Sequence, residues 1–336
     1  MAEPARLPPV DPERRSRLLG AKLAALVRDH TGIAGGEPLP FPGGAALVRP
    51  DGAWVLVEDH PDRAVAAALA WADRRGASPV HVLVEGDDGV PARHAAWFTE
   101  PPLVWRVDGR ALHPGRAALL PEPPPVDPGL AELRPLIVEG GADPVEEHGV
   151  LAGEVLGLEV CRAVRDPVSG KPRLEVGVGA HDREAFQLLH GDVPAVDALA
   201  GVVERVVAVR SDADSRHPLR RLAAERLLRW QLVQQPEAIG LAALAPTVPP
   251  TPRSNLKDPV PCAAVGAVRD GRQVVAAIAT GIDVRVVPYA ADALAAHGGG
   301  EGVRLLVIVP ERDAHPALAR LAGRLAHPAE VVPVAF

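Results

Sequence analysis

Three turns of this sequence place an aspartate close to a histidine-proline pair, and such residues can hold a ligand or transfer a proton. The six residues are Asp59 and His60, Asp214 and His217, and Asp313 and His315. Each turn lies between a predicted strand and a predicted helix, where open α/β sheets bind their ligands. The pattern therefore predicts a site for a small anionic ligand or a protein partner. Aspartate before proline is also the ordinary signal for the start of a helix, and this simpler interpretation stays open.

A second group of acidic residues suggests a different function. Its members, the candidate catalytic residues, are Glu154, Glu159, Glu175 and Asp182. Carboxylates from neighbouring elements can hold Mg²⁺, which can activate water for attack on a phosphodiester. The alternative hypothesis is therefore a metal-dependent phosphoesterase or nuclease. This hypothesis requires at least three carboxylates, drawn from this group and Asp214, within reach of one metal ion. The simpler interpretation is that these glutamates lie on strands with their side chains exposed to solvent.

The common catalytic motifs are missing from the sequence. It contains no GxSxG, HExxH or CxxC, and Cys161 and Cys262 are too far apart to form a zinc signature. Arginines 216, 220, 221, 226 and 229 crowd one predicted helix, and a solvated helix face is the favoured interpretation. We therefore assign no cofactor, keep a divalent metal for the alternative hypothesis alone, and leave enzymatic activity undecided.

Composition and charge favour a folded cytoplasmic protein. Apolar residues make up 47% and charged residues 24% of the 336 residues, as is usual for folded chains. The formal net charge of −7 opposes general binding to nucleic acid, because neutralising phosphates requires basic side chains. We see no signal peptide and no apolar run of the roughly 20 residues that span a bilayer, so we expect no membrane association. The sequence leaves the oligomeric state open.

The order of apolar and amphipathic stretches predicts an α/β fold with mostly parallel sheets and flanking helices. Residues 80–107, 205–233 and 303–334 share one plan, an apolar strand followed by an acidic turn and a helix. We therefore predict two clear copies and one diverged copy of a βαβ-type module. The diverged copy would include a strand at Arg205–Val209, preceded by a possible helix at Val145–Leu156.

Proline-rich stretches set the predicted domain layout, since proline favours stiff extended connectors. The segments are an N-terminal helix and linker (1–44), a first α/β module (45–113), a Pro-rich linker (114–144), a central α/β module (145–241), a Pro-rich connector (242–261) and a third α/β module (262–336).

Overall fold

The computed structural model describes residues 11–190, with 186–190 as backbone only, and residues 193–212, 216–253, 259–298 and 302–336. The chain forms two compact units, Met1–Leu119 with Gly323–Pro328 and Leu120–Ala322 with Ala329–Phe336. Three sheets with flanking helices give a mixed α/β fold, as the sequence predicts. The finer division into six segments stays a prediction.

The first unit contains a six-stranded mixed sheet in the order β1-β2-β3-β4-β5-β6. Its strands are β1 (Leu39–Phe41), β2 (Gly44–Arg49), β3 (Gly52–Val57), β4 (Val80–Glu85), β5 (Leu103–Asp108) and β6 (Ala111–Pro114). Its helices are α1 (Pro12–Thr31), α2 (Ala64–Asp73) and α3 (Gly89–Ala96), with a 3-10 turn at Pro61–Arg63 before α2. Strands β2 and β3 form an antiparallel hairpin, and α2 and α3 connect the parallel strands β3, β4 and β5.

Helix α1 begins and ends beside residues whose types favour the ends of a helix. The Asp11 carboxylate accepts a hydrogen bond from the Arg14 amide at 3.3 Å, and Gly32 follows the helix with φ 74°. Aspartate at the N-cap and glycine in the left-handed conformation satisfy backbone groups that the helix leaves unpaired. The apolar face of α1, which includes Leu23 and Val27, packs against β2 and β3.

The second unit contains a four-stranded antiparallel sheet in the order β10-β9-β8-β7. Its strands are β7 (Asp143–Glu147), β8 (Val150–Val155), β9 (Leu158–Arg165) and β10 (Pro172–Val176). The helices near it are α4 (Pro128–Ala131), α5 (Arg134–Glu139), α6 (Ala180–His190) and α7 (Ala195–Arg210). Ile137 of α5 and Leu199 of α7 are fully buried in the core that this sheet forms.

The other sheet of the second unit is mixed and has the order β11-β12-β13-β14-β15. Its strands are β11 (Ala243–Thr247), β12 (Cys262–Ala267), β13 (Gln273–Ile278), β14 (Arg304–Pro310) and β15 (Ala329–Val334). The remaining helices are α8 (Pro218–Arg221), α9 (Ala224–Gln234), α10 (Val286–His297) and α11 (Pro316–Gly323), with 3-10 turns at Pro236–Ile239 and Glu311–Asp313. The apolar strand and the helix predicted within residues 303–334 are present as β14 and α11.

The prediction of mostly parallel sheets is not confirmed. Among the described strands, parallel pairing joins β3 to β4, β4 to β5, β13 to β14 and β14 to β15, and the other named pairs are antiparallel. Strands β2–β5 and β12–β15 follow the same order, a hairpin and then two parallel strands. An internal repeat relating them stays a prediction.

The strand predicted at Arg205–Val209 is wrong, because these residues lie in the last turns of α7. The β-branched run Val206-Val207 favours a strand locally. Leu199, Val202 and Val206, however, recur at helical spacing and are all buried in the core beside the antiparallel sheet. Burial of one helix face outweighs the local preference for a strand. The diverged middle copy of the module therefore loses its strand.

The possible helix at Val145–Leu156 is also wrong. This stretch forms the end of β7, all of β8 and the turn between them. Residues His148 and Gly149 form a two-residue turn with φ values of 48° and 77°. Two positive φ values are typical of a type I′ turn, whose twist suits an antiparallel hairpin. The hairpin places Glu147 on β7 and Glu154 on β8, and both residues belong to the candidate functional site.

Candidate functional site

Two buried glutamates face each other across the β8–β9 hairpin. Glu154 on β8 is the register partner of Glu159 on β9. They meet because Leu156 and Gly157, with φ values of 48° and 74°, close the hairpin in two residues. Like charges directly opposite one another on a sheet repel. Cations beside these carboxylates would offset this repulsion.

Helix α9 supplies two of the cations. Arg226 and Arg229 are three residues apart, so they leave the same face of the helix. The Arg226 guanidinium donates to the carboxylates of Glu147 and Glu154. Arg229 Nη2 donates to Glu154 Oε2 at 3.2 Å, and its Nη1 donates to the Ala263 carbonyl at 3.4 Å. Two arginines and two glutamates thus form a charge-balanced cluster that is almost closed to solvent.

Three further arginines surround Glu159. Arg162 Nε and Arg183 Nη1 both donate to Glu159 Oε1 at 3.0 Å. Arg253 Nη2 donates to Glu159 Oε2 at 3.3 Å. One carboxylate therefore faces three guanidinium groups, although Arg183 also lies 3.7 Å from the carboxylate of Glu175. This half of the cluster has more positive than negative charge at close range.

A cavity of about 190 Å³ opens beside this cluster. Its lining residues are Val145, Glu147, His148, Val150, Ala152, Glu154, Glu159, Arg162, Arg226, Pro252 and Arg253. Arg162 has 37% of its side chain exposed, whereas Arg226 has 3% exposed. The cavity therefore has an accessible guanidinium, that of Arg162, and a wall that contains buried charged side chains.

Arg253 differs from the other arginines of the cavity. Its side chain is 10% exposed, and its Nη1 has no hydrogen-bond partner in the part of the chain that the structure describes. Burial, followed by the charge of Arg226, lowers the pKa of Arg253. A buried cation with an unused donor is costly unless a partner satisfies it. Arg253 is thus a buried cation of this wall whose hydrogen-bonding capacity the described residues do not fill.

Residues 248–253 are held on the site by two histidines. His297 Nε2 donates to the Val248 carbonyl at 2.6 Å, and His148 Nε2 donates to the Pro249 carbonyl at 2.8 Å. A carbonyl only accepts hydrogen bonds, so both histidines carry a proton on Nε2. These contacts hold the chain that leads to Arg253 against the β7–β8 turn.

The start of α9 is set by a break in a helix that the sequence predicts as continuous. Leu222 is extended and Ala223 has a φ of 46°, so α8 ends and α9 begins there. The buried Arg210 guanidinium donates to the carbonyl groups of Leu156, Leu219 and Leu222 at 3.1, 2.6 and 2.7 Å. Burial lowers the pKa of Arg210 to about 10. This arginine joins the end of α7, the helix break and the β8–β9 turn, which together position Arg226.

The ionisable groups of the cluster are held in defined protonation states. Burial alone would raise the pKa of Glu154, but the charges of Arg226, Arg229 and Arg253 outweigh it and lower that pKa. Burial raises the pKa of the Cys262 thiol, which lies behind the cluster, to about 12. Glu154 is therefore ionised and Cys262 is neutral at pH 7.

The remaining candidates from the acidic group lie nearby. Arg173 Nη2 donates to the Glu175 carboxylate at 2.7 Å. Asp182 accepts a hydrogen bond from the Val178 amide at 2.7 Å, near the start of α6. Asp182 and His217 both line a second cavity, of about 800 Å³, whose other walls come mainly from apolar residues of α6, α7 and α8. Two residues that the sequence assigns to different hypotheses thus share one cavity.

The other predicted ligand-binding residues make local contacts. His217 and His315 accept hydrogen bonds through Nδ1 from the amides of Leu219 and Ala317, both at 3.2 Å. Each imidazole thereby caps the helix that begins at the following proline, as the simpler interpretation expects. Asp313 accepts a hydrogen bond from the Gly281 amide at 2.7 Å.

In the first unit, the Asp59 carboxylate lies 2.8 Å from the Arg15 guanidinium, and His60 adopts a φ of 54° before the 3-10 turn. Asp214 lies outside the described residues. A ligand site at these turns stays a prediction.

The metal hypothesis needs converging ligands. Among the described residues, no group of three or more histidine, cysteine, aspartate or glutamate side chains is placed to hold a metal ion. Glu154 and Glu159 instead bind guanidinium groups. Arginines of the protein thus neutralise these two carboxylates, and a metal site at them stays a prediction.

The arginines are the part of the site that the sequence interpretation missed. Arg226 and Arg229 were expected on a solvated helix face, and both are buried. Arg226 and Arg229 are three residues apart, and Glu154 and Glu159 lie in apolar strands. These two features together are the signal that could have indicated the pairing of the arginines with the glutamates. Arg253 has no comparable local signal, because it lies in a proline-rich connector.

Comparison of the chain with protein-family models, with curated proteins and with solved structures finds no match. In the described parts of the chain, every helix is too short or too polar to cross a bilayer.

Proposed function

We propose that this protein binds a small anionic ligand in the cavity beside the Arg–Glu cluster. The observation that carries the proposal is Arg253, a buried guanidinium that lines the cavity with an Nη1 that no described residue uses. An anion in the cavity, beside this guanidinium, would offset a positive charge that burial makes costly.

The charges next to Arg253 favour an anion over a cation. Glu159, the carboxylate nearest to Arg253, already accepts hydrogen bonds from three arginines. A bound cation would add to this local positive charge, whereas an anion would reduce it. Arg162 at the accessible side provides a second guanidinium for the same ligand.

Binding is favoured over catalysis by the state of the groups that surround the ligand. Glu154 has a lowered pKa and remains ionised, which does not suit a general acid at neutral pH. The cavity thus offers charge recognition, and Glu154 is not available to it as a general acid.

Isothermal titration calorimetry of the full chain tests the proposal, with acetate and inorganic phosphate as ligands at constant ionic strength. We expect at least one of these anions to bind the unmodified protein, and Arg253→Gln and Arg162→Gln each to weaken binding at least tenfold. Arg272→Gln is the matched control, because Arg272 is 59% exposed and pairs with Asp270 in the β12–β13 turn. Absence of binding by both anions, or equal effects of the three variants, would show that the proposal is wrong.

A further inference from the structure

An imidazole and two indoles pack together on the sheet of the first unit. Trp54 on β3, His81 on β4 and Trp105 on β5 come from neighbouring parallel strands. The ring of His81 is stacked on that of Trp54, with centroids 3.7 Å apart and an angle of 8° between the planes. The Trp105 indole Nε1 donates a hydrogen bond to His81 Nδ1 at 3.1 Å. His81 is 8% exposed, so water cannot readily replace either contact.

The hydrogen bond from Trp105 fixes the protonation state of His81. An indole nitrogen only donates, so Nδ1 of His81 is an unprotonated acceptor and the neutral ring carries its proton on Nε2. A second proton would place the N–H of His81 Nδ1 against the N–H of Trp105 and break this bond. The stack on Trp54 is open to both forms of the ring, because the face of an indole also attracts a cation.

The surroundings of His81 favour its neutral form. Burial lowers the pKa of His81 to about 4, and His30 on α1 adds to this effect. Asp51 in the β2–β3 turn opposes it, although the Asp51 carboxylate also pairs with Arg49 at 2.9 Å. Stability from a group with a lowered pKa is present above the unfolded pKa, about 6.5 for histidine, and is lost as the pH falls through the folded pKa. The neutral imidazole therefore stabilises the first unit at pH 7, and this contribution is lost in acid.

The last turn of α1 packs on the indole that this hydrogen bond holds. His30 lies edge-on to Trp105, with ring centroids 4.6 Å apart. The neighbouring Asp29 pairs with Arg110 through a hydrogen bond of 2.8 Å. Protonation of His81 would free Trp105, and a charged His81 would repel a charged His30. The end of α1 is thus the element that responds to the charge of His81.

We propose that His81 is an acid-sensitive switch in the first unit, whose protonation breaks the hydrogen bond from Trp105 and loosens the end of α1 from the sheet. The switch has two arrangements of one imidazole. The neutral ring accepts from Trp105, and the charged ring keeps only its stack on Trp54. It is independent of the proposed anion site, whose residues belong to the second unit.

Nuclear magnetic resonance of the full chain, labelled with ¹⁵N, tests the proposal. The imidazole nitrogens of His81 and the indole N–H of Trp105 are followed from pH 7 to pH 4 in the unmodified protein, and the spectrum of Trp105→Phe identifies the indole signal. We expect a proton on Nε2 alone at pH 7, and a shift of the indole signal as His81 takes its second proton below about pH 5.5. Half-protonation of His81 near pH 6.5, as in an unfolded chain, or an indole signal that does not follow this proton, would overturn the proposal.

Urea unfolding followed by tryptophan fluorescence measures the effect on stability, since four of the five tryptophans lie in the first unit. The folding equilibrium constant of the unmodified protein, divided by that of His81→Gln, should fall at least about tenfold from pH 7 to pH 5. The matched control is His113→Gln, because His113 is exposed on β6, and its ratio should change less than about twofold.

Equal changes of the two ratios would overturn the switch. Because His81 is buried, circular dichroism checks that His81→Gln is folded. The resonance titration uses the unmodified protein, so it decides the question even if this variant does not fold.

Discussion

Replacing Glu154 by glutamine tests whether the buried cluster holds the β8–β9 hairpin against α9. The change keeps the shape of the side chain and removes its charge, which leaves Arg226 and Arg229 with Glu147 as their remaining carboxylate. Removing one partner of a buried ion pair costs about 3–5 kcal/mol, because the other charge stays buried and uncompensated. A domain is stable by about 5–15 kcal/mol, so Glu154→Gln should remove a large part of that stability.

Urea unfolding followed by far-ultraviolet circular dichroism measures this loss at pH 7. The matched control is Glu330→Gln on β15, because Glu330 is 58% exposed and pairs with Arg304 on the neighbouring strand at 2.5 Å. Exposed pairs contribute about 0–1 kcal/mol. We expect a free energy of unfolding lower by about 3–5 kcal/mol for Glu154→Gln and by less than about 1 kcal/mol for the control.

The pH dependence of the loss identifies its cause. The arginines lower the pKa of Glu154 below that of an unfolded glutamate, which is about 4.3. Stability from a carboxyl with a lowered pKa is present above the unfolded pKa and is lost as the pH falls through the folded pKa. The difference between the unmodified protein and Glu154→Gln should therefore stay constant from pH 7 to pH 5 and narrow below about 4.3. A loss similar to that of the control, or a difference that persists unchanged to pH 3, would refute the reasoning.

Two further changes test the packing around the cluster. At Gly157, with φ +74°, an added Cβ would lie 2.4 Å from the carbonyl carbon and oxygen of Arg226, whereas at Gly170, with φ +68°, it would meet nothing within 4 Å. Gly170→Ala should lower the free energy of unfolding by about 1–2 kcal/mol through backbone strain. Gly157→Ala should lower it by about 1–3 kcal/mol more, as measured by urea unfolding, because α9 must move. Equal losses in the two variants would contradict the contact between Gly157 and Arg226. Burial raises the pKa of Glu225, so the stability linked to its neutral form is present below the unfolded pKa and is lost as the pH rises through the folded pKa. The glutamine of Glu225→Gln cannot ionise, so this variant should gain stability relative to the unmodified protein as the pH rises from 4 to 8. A difference in the free energy of unfolding between the two proteins that does not change with pH would count against a buried neutral carboxyl.

Much of the fold follows from signals that lie close together in the sequence. Asp11 and Gly32 bound α1 because a cap needs only the first or last turn of its helix. The apolar run at Leu305–Val309 forms β14, a strand buried on both faces between β13 and β15. The histidine-proline turns start helices α8 and α11 for the same local reason.

The tertiary structure alone decided which charged residues are buried and what they bind. Arg226 lies 72 residues from Glu154, and Arg253 lies 94 residues from Glu159. The same structure made Arg205–Val209 part of a helix, since its apolar face packs on a sheet formed by residues 143–176. Caps, turns and periodicity depend on groups within a few residues, so the sequence determined them by itself. The stability of a buried charge depends on a partner that only the folded chain brings within reach, and the proposed anion site is built from such charges.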